Sequence, residues 1–246
     1  MKILLGFFGA VVFFCHTSTI TSDISTTPVI VELFTAEGCS SCPPADELLK
    51  EMSDILNKEG KHVVGLSFHV TYWNSLGWVD PYSNEKFTER QKKYSATLKT
   101  QQLYTPQAIV NGSAEFVGSN PIAFRDLVIK AFEKEYSYDL KVKSVVRDKN
   151  LVVEYDLGKD PKQTVLNFAL VENFVSHLIP RGENKDRTLQ HTNVVRVFET
   201  ITPQKSGEIT IKLPEDIATD KFKIVVYTQH PRTMQISGAV EDTLKL

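Results

Sequence analysis

The chain has 246 residues, enough for one large domain or two ordinary ones. It is 41% hydrophobic and 24% charged with a formal net charge of -2, the balance of a soluble globular protein. No basic stretch is concentrated enough to point to nucleic acid, and the densest charge cluster, "ERQKK", reads as a solvated helix face.

Lys2 is followed by the apolar run "ILLGFFGAVVFFC" and then by polar "HTSTITSDISTT". That is the layout of a secretory signal, and the run is shorter than the about 20 residues that span a bilayer as a helix. Residues 1–22 are therefore expected to be a signal peptide and the protein to be exported, either periplasmic or secreted. Cys15 offers a lipid-anchor alternative, although "VFFC" lacks the small residues that usually precede such a cysteine; membrane contact is expected only if Cys15 is lipidated. Removal of the signal leaves Cys39 and Cys42 as the only thiols. A bond across so short a loop constrains the unfolded chain little, so the pair points to chemistry rather than to a scaffold.

From Pro28 the elements follow in order. "VIVELF" (29–34) is a short β-branched run and reads as a buried strand. After Pro43-Pro44, apolar Ala45, Leu48, Leu49, Met52, Ile55 and Leu56 mark one face of a helix ending near Gly60. "HVVGLSFHV" (62–70) is a second strand. "YWNSLGWVDPYS" and then "NEKFTERQKKYSATLK" form a helical insert with Phe87, Tyr94 and Leu98 as inner contacts. "PQAIVNGSAEFVG" (106–118) is a hairpin about Asn111-Gly112, the pair that tolerates the positive φ angles of a type I′ turn. "SNP" caps a helix whose inner face is Phe124, Leu127, Val128, Ala131 and Phe132. Residues 28–136 thus read β-α-β-(helical insert)-β-β-α.

Near Tyr138 the period changes from helical to alternating. "DLKVKSVV", "NLVVEYDL", "TVLNFALVEN", "VVRVFETI", "GEITIKL", "FKIVVYTQ" and "QISGAVE" are seven candidate strands, and residues 138–246 are expected to form a smaller, all-β, sandwich-like domain. No linker separates the halves, so they are expected to pack together.

A strand, a Cys-x-x-Cys and a helix form the arrangement that disulfide chemistry needs, because a helix N-terminus stabilises a thiolate and the second thiol can resolve a mixed disulfide. Zinc would need two further ligands, and no second Cys-x-x-Cys exists. A Cu(I) site using both thiolates and His69 is an alternative, since thiolates suit that soft ion. A binding module without redox chemistry is another.

The order strand, Cys-x-x-Cys, helix, strand, insert, Thr105-Pro106, hairpin, helix resembles the thioredoxin-like fold. The segments "VELFTAEGCSSCPPAD", "FHVTYWNSLGWVDPYS", "YTPQAIVNG", "EFVGS" and "RGENKDRTLQHTNVVR" resemble, more closely still, a family of exported bacterial thioredoxin-like proteins catalogued as a domain of unknown function. The resemblance implies an exported thioredoxin-like domain followed by a smaller β domain, with Cys39 the more exposed, attacking thiol, Cys42 the resolving one, and a cis Pro106 lying with Thr105 against the dithiol, where a substrate chain would pair. Together with the Cys-x-x-Cys before a helix, the expected function is a thiol–disulfide oxidoreductase with no bound cofactor, acting on a protein or small thiol substrate and recycled by a redox partner protein.

Three further residues are site candidates. Glu32 lies in the first strand, where the resemblance implies a buried carboxylate that relays protons; the alternative is a solvent-facing carboxylate. His69, at the end of the second strand, either points towards the dithiol or is a structural histidine. Trp73 forms with Tyr72 and Trp78 either a substrate wall or core packing. Pro43 and Pro44 require the helix to start with Ser41 or Cys42 as its cap, leaving Cys39 just outside the N-terminus and its pKa only modestly lowered. Arg181, Arg187, His191 and Arg196 in the polar segment either bind an anion or a partner, or belong to a structured turn. Ser40-Ser41 offers no basic spacer, which favours reductase or isomerase behaviour over strong oxidation.

Overall fold

The computed structural model describes residues 27–100, 102–215 and 218–244; the expected signal peptide and Cys15 lie outside the described residues. Strand β1 (Val29–Thr35) and strand β2 (Val63–His69) are buried along their whole length, as central strands covered on both faces are, and their few polar side chains, Glu32, Thr35, Ser67 and His69, are buried with them. They pair in parallel, Val29 opposite Val63 and Thr35 opposite His69. Helix α1 (Pro43–Lys58) connects them, with Cys42 at its N-cap and the two prolines in the first turn, where their missing N–H groups cost nothing. Helix α2 (Glu85–Leu98) follows β2, its first turn capped by the Asn84 side chain.

Strand β3 (Gln107–Val110) runs antiparallel to β1 on the side away from β2, and β4 (Ala114–Val117) pairs with β3. Their turn has positive φ at both Asn111 and Gly112, and a Cβ at Gly112 would collide with the Met234 carbonyl. Helix α3 (Pro121–Phe132) returns beside α1. On one face of the strands Val31 and Leu33 pack with Leu49, Leu56, Phe124 and Val128 from α1 and α3. On the other, Ile30, Phe34, Leu66 and Phe68 pack with Phe87 and Tyr94 from α2.

The second half contributes β5 (Lys141–Arg147), β6 (Asn150–Asp156), β7 (Val165–Leu178), β8 (Thr188–Ile201), β9 (Ser206–Lys212), β10 (Phe222–Gln229) and β11 (Ile236–Thr243). These match the seven expected strands, but β7 and β8 run beyond their expected ends at residues 173 and 194 to form a long antiparallel hairpin. The expected division between 136 and 138 falls in the loop before β5. Strands from both sides of it nevertheless share one eight-stranded sheet, in the order β11-β10-β7-β8-β2-β1-β3-β4. The junction is narrow: Ser67 pairs in parallel with Val194, the Ser67 hydroxyl donates to the Thr192 carbonyl, and the Asn193 amide donates to the Gly65 carbonyl. The three-stranded sheet β5-β6-β9 packs Leu151, Val153 and Ile211 over Phe168, Leu170, Ile224 and Val226.

A buried ion pair braces this junction from the α2 side. Arg90 binds the Glu32 carboxylate through two bonds of 2.7 Å, and Tyr94 and Tyr227 donate to the same carboxylate at 3.0 and 3.1 Å. The guanidinium also donates to Gln229 and lies over the Phe198 ring. The carboxylate, a desolvated charge, is paired by residues from α2 and β10, so both halves are needed to satisfy it.

Candidate functional site

Cys39 and Cys42 are joined by a disulfide just beyond the carboxyl end of β1, at the N-terminus of α1. Both side chains are 0% exposed. The expectation of a more exposed Cys39 is therefore corrected: three segments cover it. Thr105 Oγ1 stands 3.2 Å from Cys39 Sγ and accepts a 2.8 Å bond from Trp73 Nε1. The Thr105-Pro106 bond is cis. The third cover comes from the β7–β8 loop, where Asn184 donates to the carbonyls of Glu37 and Cys39 at 2.8 and 2.9 Å. Ser40 and Ser41 remain exposed, and the Ser40 N–H donates to Glu183 of the same loop.

Cys39, Cys42, Thr105, Pro106 and Trp73 thus come together. Glu32 does not join them, being held by Arg90, Tyr94 and Tyr227 as described. His69 lies in a buried polar cluster next to the cysteine loop. Its Nδ1 pairs with Asp80 at 2.7 Å, and Asp80 also accepts from the Glu37 N–H at 2.8 Å, which ties the ring to the loop before Cys39. Burial disfavours the imidazolium, but the charge and hydrogen bond of Asp80 outweigh it and hold the His69 pKa above its usual value. For Asp80, burial opposes ionisation, yet His69 and two backbone N–H groups keep its pKa below the usual carboxylate value.

Sequence reasoning missed most of this cluster. Glu37 is fully buried, accepts from Trp78 Nε1 at 2.7 Å and pairs with His177 Nδ1 at 2.9 Å. Asp46 accepts from Thr35 Oγ1 at 3.1 Å. His191 lies between them, its Nδ1 3.4 Å from Asp46 and its Nε2 3.9 Å from Glu37, with the His69 ring 4.6 Å away. The available signal was spacing: Glu37 precedes Cys39 by two residues and Asp46 follows Cys42 by one helical turn.

The four basic residues of the polar segment do not converge on one ligand. Arg181 is exposed, Arg187 donates to Asn184 Oδ1, His191 is in the buried cluster and Arg196 pairs with Glu172. The turn reading fits residues 181–187, which close over the cysteine loop through Asn184, whereas His191 and Arg196 stand in β8. Among the described residues no group of three or more His, Cys, Asp or Glu side chains is arranged to hold a metal ion.

A family model described as "Protein of unknown function (DUF1223)" matches residues 30–229. A search of curated proteins finds no match. Among solved structures, a protein from Agrobacterium tumefaciens is similar at 27% identity and a TM-score of 0.64, over 89% of this chain and 96% of that one. A domain of the outer membrane lipoprotein Omp28 from Porphyromonas gingivalis is 13% identical with a TM-score of 0.26, over 46% of this chain and 93% of that one.

Proposed function

The chain belongs to the DUF1223 family, and for this member of it we propose a thiol–disulfide oxidoreductase acting outside the cytoplasm through Cys39 and Cys42. The observation that carries the reading is the disulfide at the N-terminus of α1 with Thr105 Oγ1 3.2 Å from Cys39 Sγ. A thiolate released there meets the positive end of the helix dipole and a hydroxyl donor.

The strand order β2-β1-β3-β4, with β2 parallel and β3 antiparallel to β1 and α1 leading away from the cysteines, supports a thioredoxin-like unit over residues 28–136. The β unit over 138–246 then has a role beyond packing, since its β7–β8 hairpin supplies one wall of the site. A protein or small-molecule thiol must displace this cover to reach Cys39, and the exposed Ser40-Ser41 turn beside it is the point of approach. Recycling would fall to a separate redox partner protein. Export rests on the signal-like layout of residues 1–22 and on the persistence of disulfides in oxidising compartments.

The test is the equilibrium reduction potential of the Cys39–Cys42 pair, titrated in glutathione and dithiothreitol buffers. A value near about −270 mV assigns a reductase and one near about −120 mV an oxidase. A pair that does not cycle at all ends the redox reading.

A further inference from the structure

Asp46 and His191 are buried, and Asp46 Oδ1 and both ring nitrogens of His191 make no hydrogen bond within the protein. Both residues line a cavity of about 210 Å³ between the first turn of α1 and the start of β8, together with Pro43, Arg187 and Gln190. At roughly 30 Å³ per water molecule, that space holds several. Asp46 stands one turn along α1 from Cys42, its N–H bonded to the Cys42 carbonyl at 3.2 Å, and side chains at that spacing share a helix face.

Resting on the redox reading above, we propose that Asp46 and His191 form the proton path of the buried pair, linking solvent in this cavity to Cys42 Sγ. The need is physical: Cys42 is 0% exposed, and a thiolate left there without a proton is a desolvated charge. A dithiol reductant attacks Cys39 Sγ through one thiolate. The Sγ–Sγ bond breaks, its electron pair stays on Cys42 Sγ, and this sulfur takes a proton along the Asp46–His191 path. The second thiolate of the reductant then attacks its own sulfur in the mixed disulfide and expels Cys39, which takes the second proton. The reductant leaves as a disulfide, two electrons and two protons having passed to the pair; the oxidising direction reverses each step.

His191 faces charged or titratable groups from every side. These are Asp46 from α1, Glu37 from the cysteine loop with His177 behind it, His69 from β2 with Asp80 behind it, and Glu47 and Arg187 at the cavity. Asp46 and His191 act on Cys42 rather than on substrate, so they are positioning residues, and their test needs a readout that a structural role would not move.

The experiment is the rate of reduction of the oxidised full-length protein by dithiothreitol as a function of pH. Asp46→Asn and His191→Asn are each expected to slow it by about 10²-fold, as loss of a proton-transfer group does, and to change the pH profile. In Asp46→Ala, formate entering the cavity is expected to restore part of the rate. In the wild type, reduction is expected to slow in deuterium oxide, which tests the path even if a variant does not fold. Unchanged rates and pH profiles in the folded variants, or the absence of an isotope effect, would overturn the relay alone. A wild-type disulfide that dithiothreitol does not reduce would overturn the redox reading and the relay with it.

Discussion

The side-chain amide of Asn184 donates a 2.9 Å hydrogen bond to the carbonyl of Cys39, 145 positions earlier in the chain. The same amide donates to the Glu37 carbonyl, and its own oxygen is held by Arg187. The cysteine loop is therefore not finished by the strands and helices that surround it in sequence. Besides the local turn bonds from the Cys39 and Cys42 N–H groups, the Glu37 and Cys39 carbonyls accept from a loop at the tip of a hairpin that belongs to the other half of the protein.

Asn184→Ala removes the side-chain donor of the Glu37 carbonyl and leaves the Cys39 carbonyl with the Cys42 N–H alone, and should cost roughly 1–3 kcal/mol. The urea midpoint is expected to fall with an unchanged slope, and reduction of the disulfide to quicken, because the cover over Cys39 is loosened. A midpoint equal to that of the wild type would show that the amide contributes nothing to the fold.

Thr105→Val keeps the shape of the side chain but removes the hydroxyl between Trp73 and Cys39. A hydrogen bond to a charged group contributes about 1.5–3 kcal/mol, so the Cys39 thiolate pKa in the reduced protein should rise by about one unit or more. Thiolate absorbance against pH measures it; a pKa that stays put removes Thr105 from the site.

Glu32→Gln strands the Arg90 guanidinium in a buried position. Breaking such a pair costs about 3–5 kcal/mol, whereas Glu32→Met with Arg90→Met together should cost less than the two single changes summed. Urea unfolding of the three variants gives the comparison. The reduction potential of the cysteines should not follow these losses, because Arg90, Tyr94 and Tyr227 hold Glu32; a shifted potential would restore Glu32 to the proton chemistry.

The elements up to α3 were legible because local signals agreed: buried β-branched runs, prolines at the start of α1, Asn111-Gly112 at the hairpin turn. The cysteine pair was legible from its place between a strand and a helix, whereas the approach of Thr105-Pro106 to it was implied by the resemblance to the thioredoxin-like fold and not by any local signal. The extensions of β7 and β8 were not legible. Past Asn173 the apolar alternation lapses: Phe174 and Leu178 face solvent, while His191 is buried against carboxylates. A polar strand that covers a polar site carries no periodic hydrophobic signal. The joining of the two halves into one eight-stranded sheet was hidden for a related reason, since it rests on the pairing of Ser67 with Val194 and on two side-chain hydrogen bonds.

The His69–Asp80 pair makes stability depend on pH in a stated direction. The folded pKa of His69 lies above its usual 6.5, so folding takes up a proton between that value and the folded pKa. The contribution is fully present below about pH 6.5 and is lost as pH rises through the folded pKa of His69. Asp80, whose folded pKa is depressed, behaves in the opposite sense: its contribution is present above its usual value of 3.8 and is lost as pH falls through the folded one. Unfolding free energies in urea across neutral pH should therefore decline on the alkaline side in the wild type, and that decline should flatten in Asp80→Asn. A direct check is the nuclear magnetic resonance titration of the His69 ring. A midpoint at or below 6.5 would mean that burial, not Asp80, decides the state of the histidine.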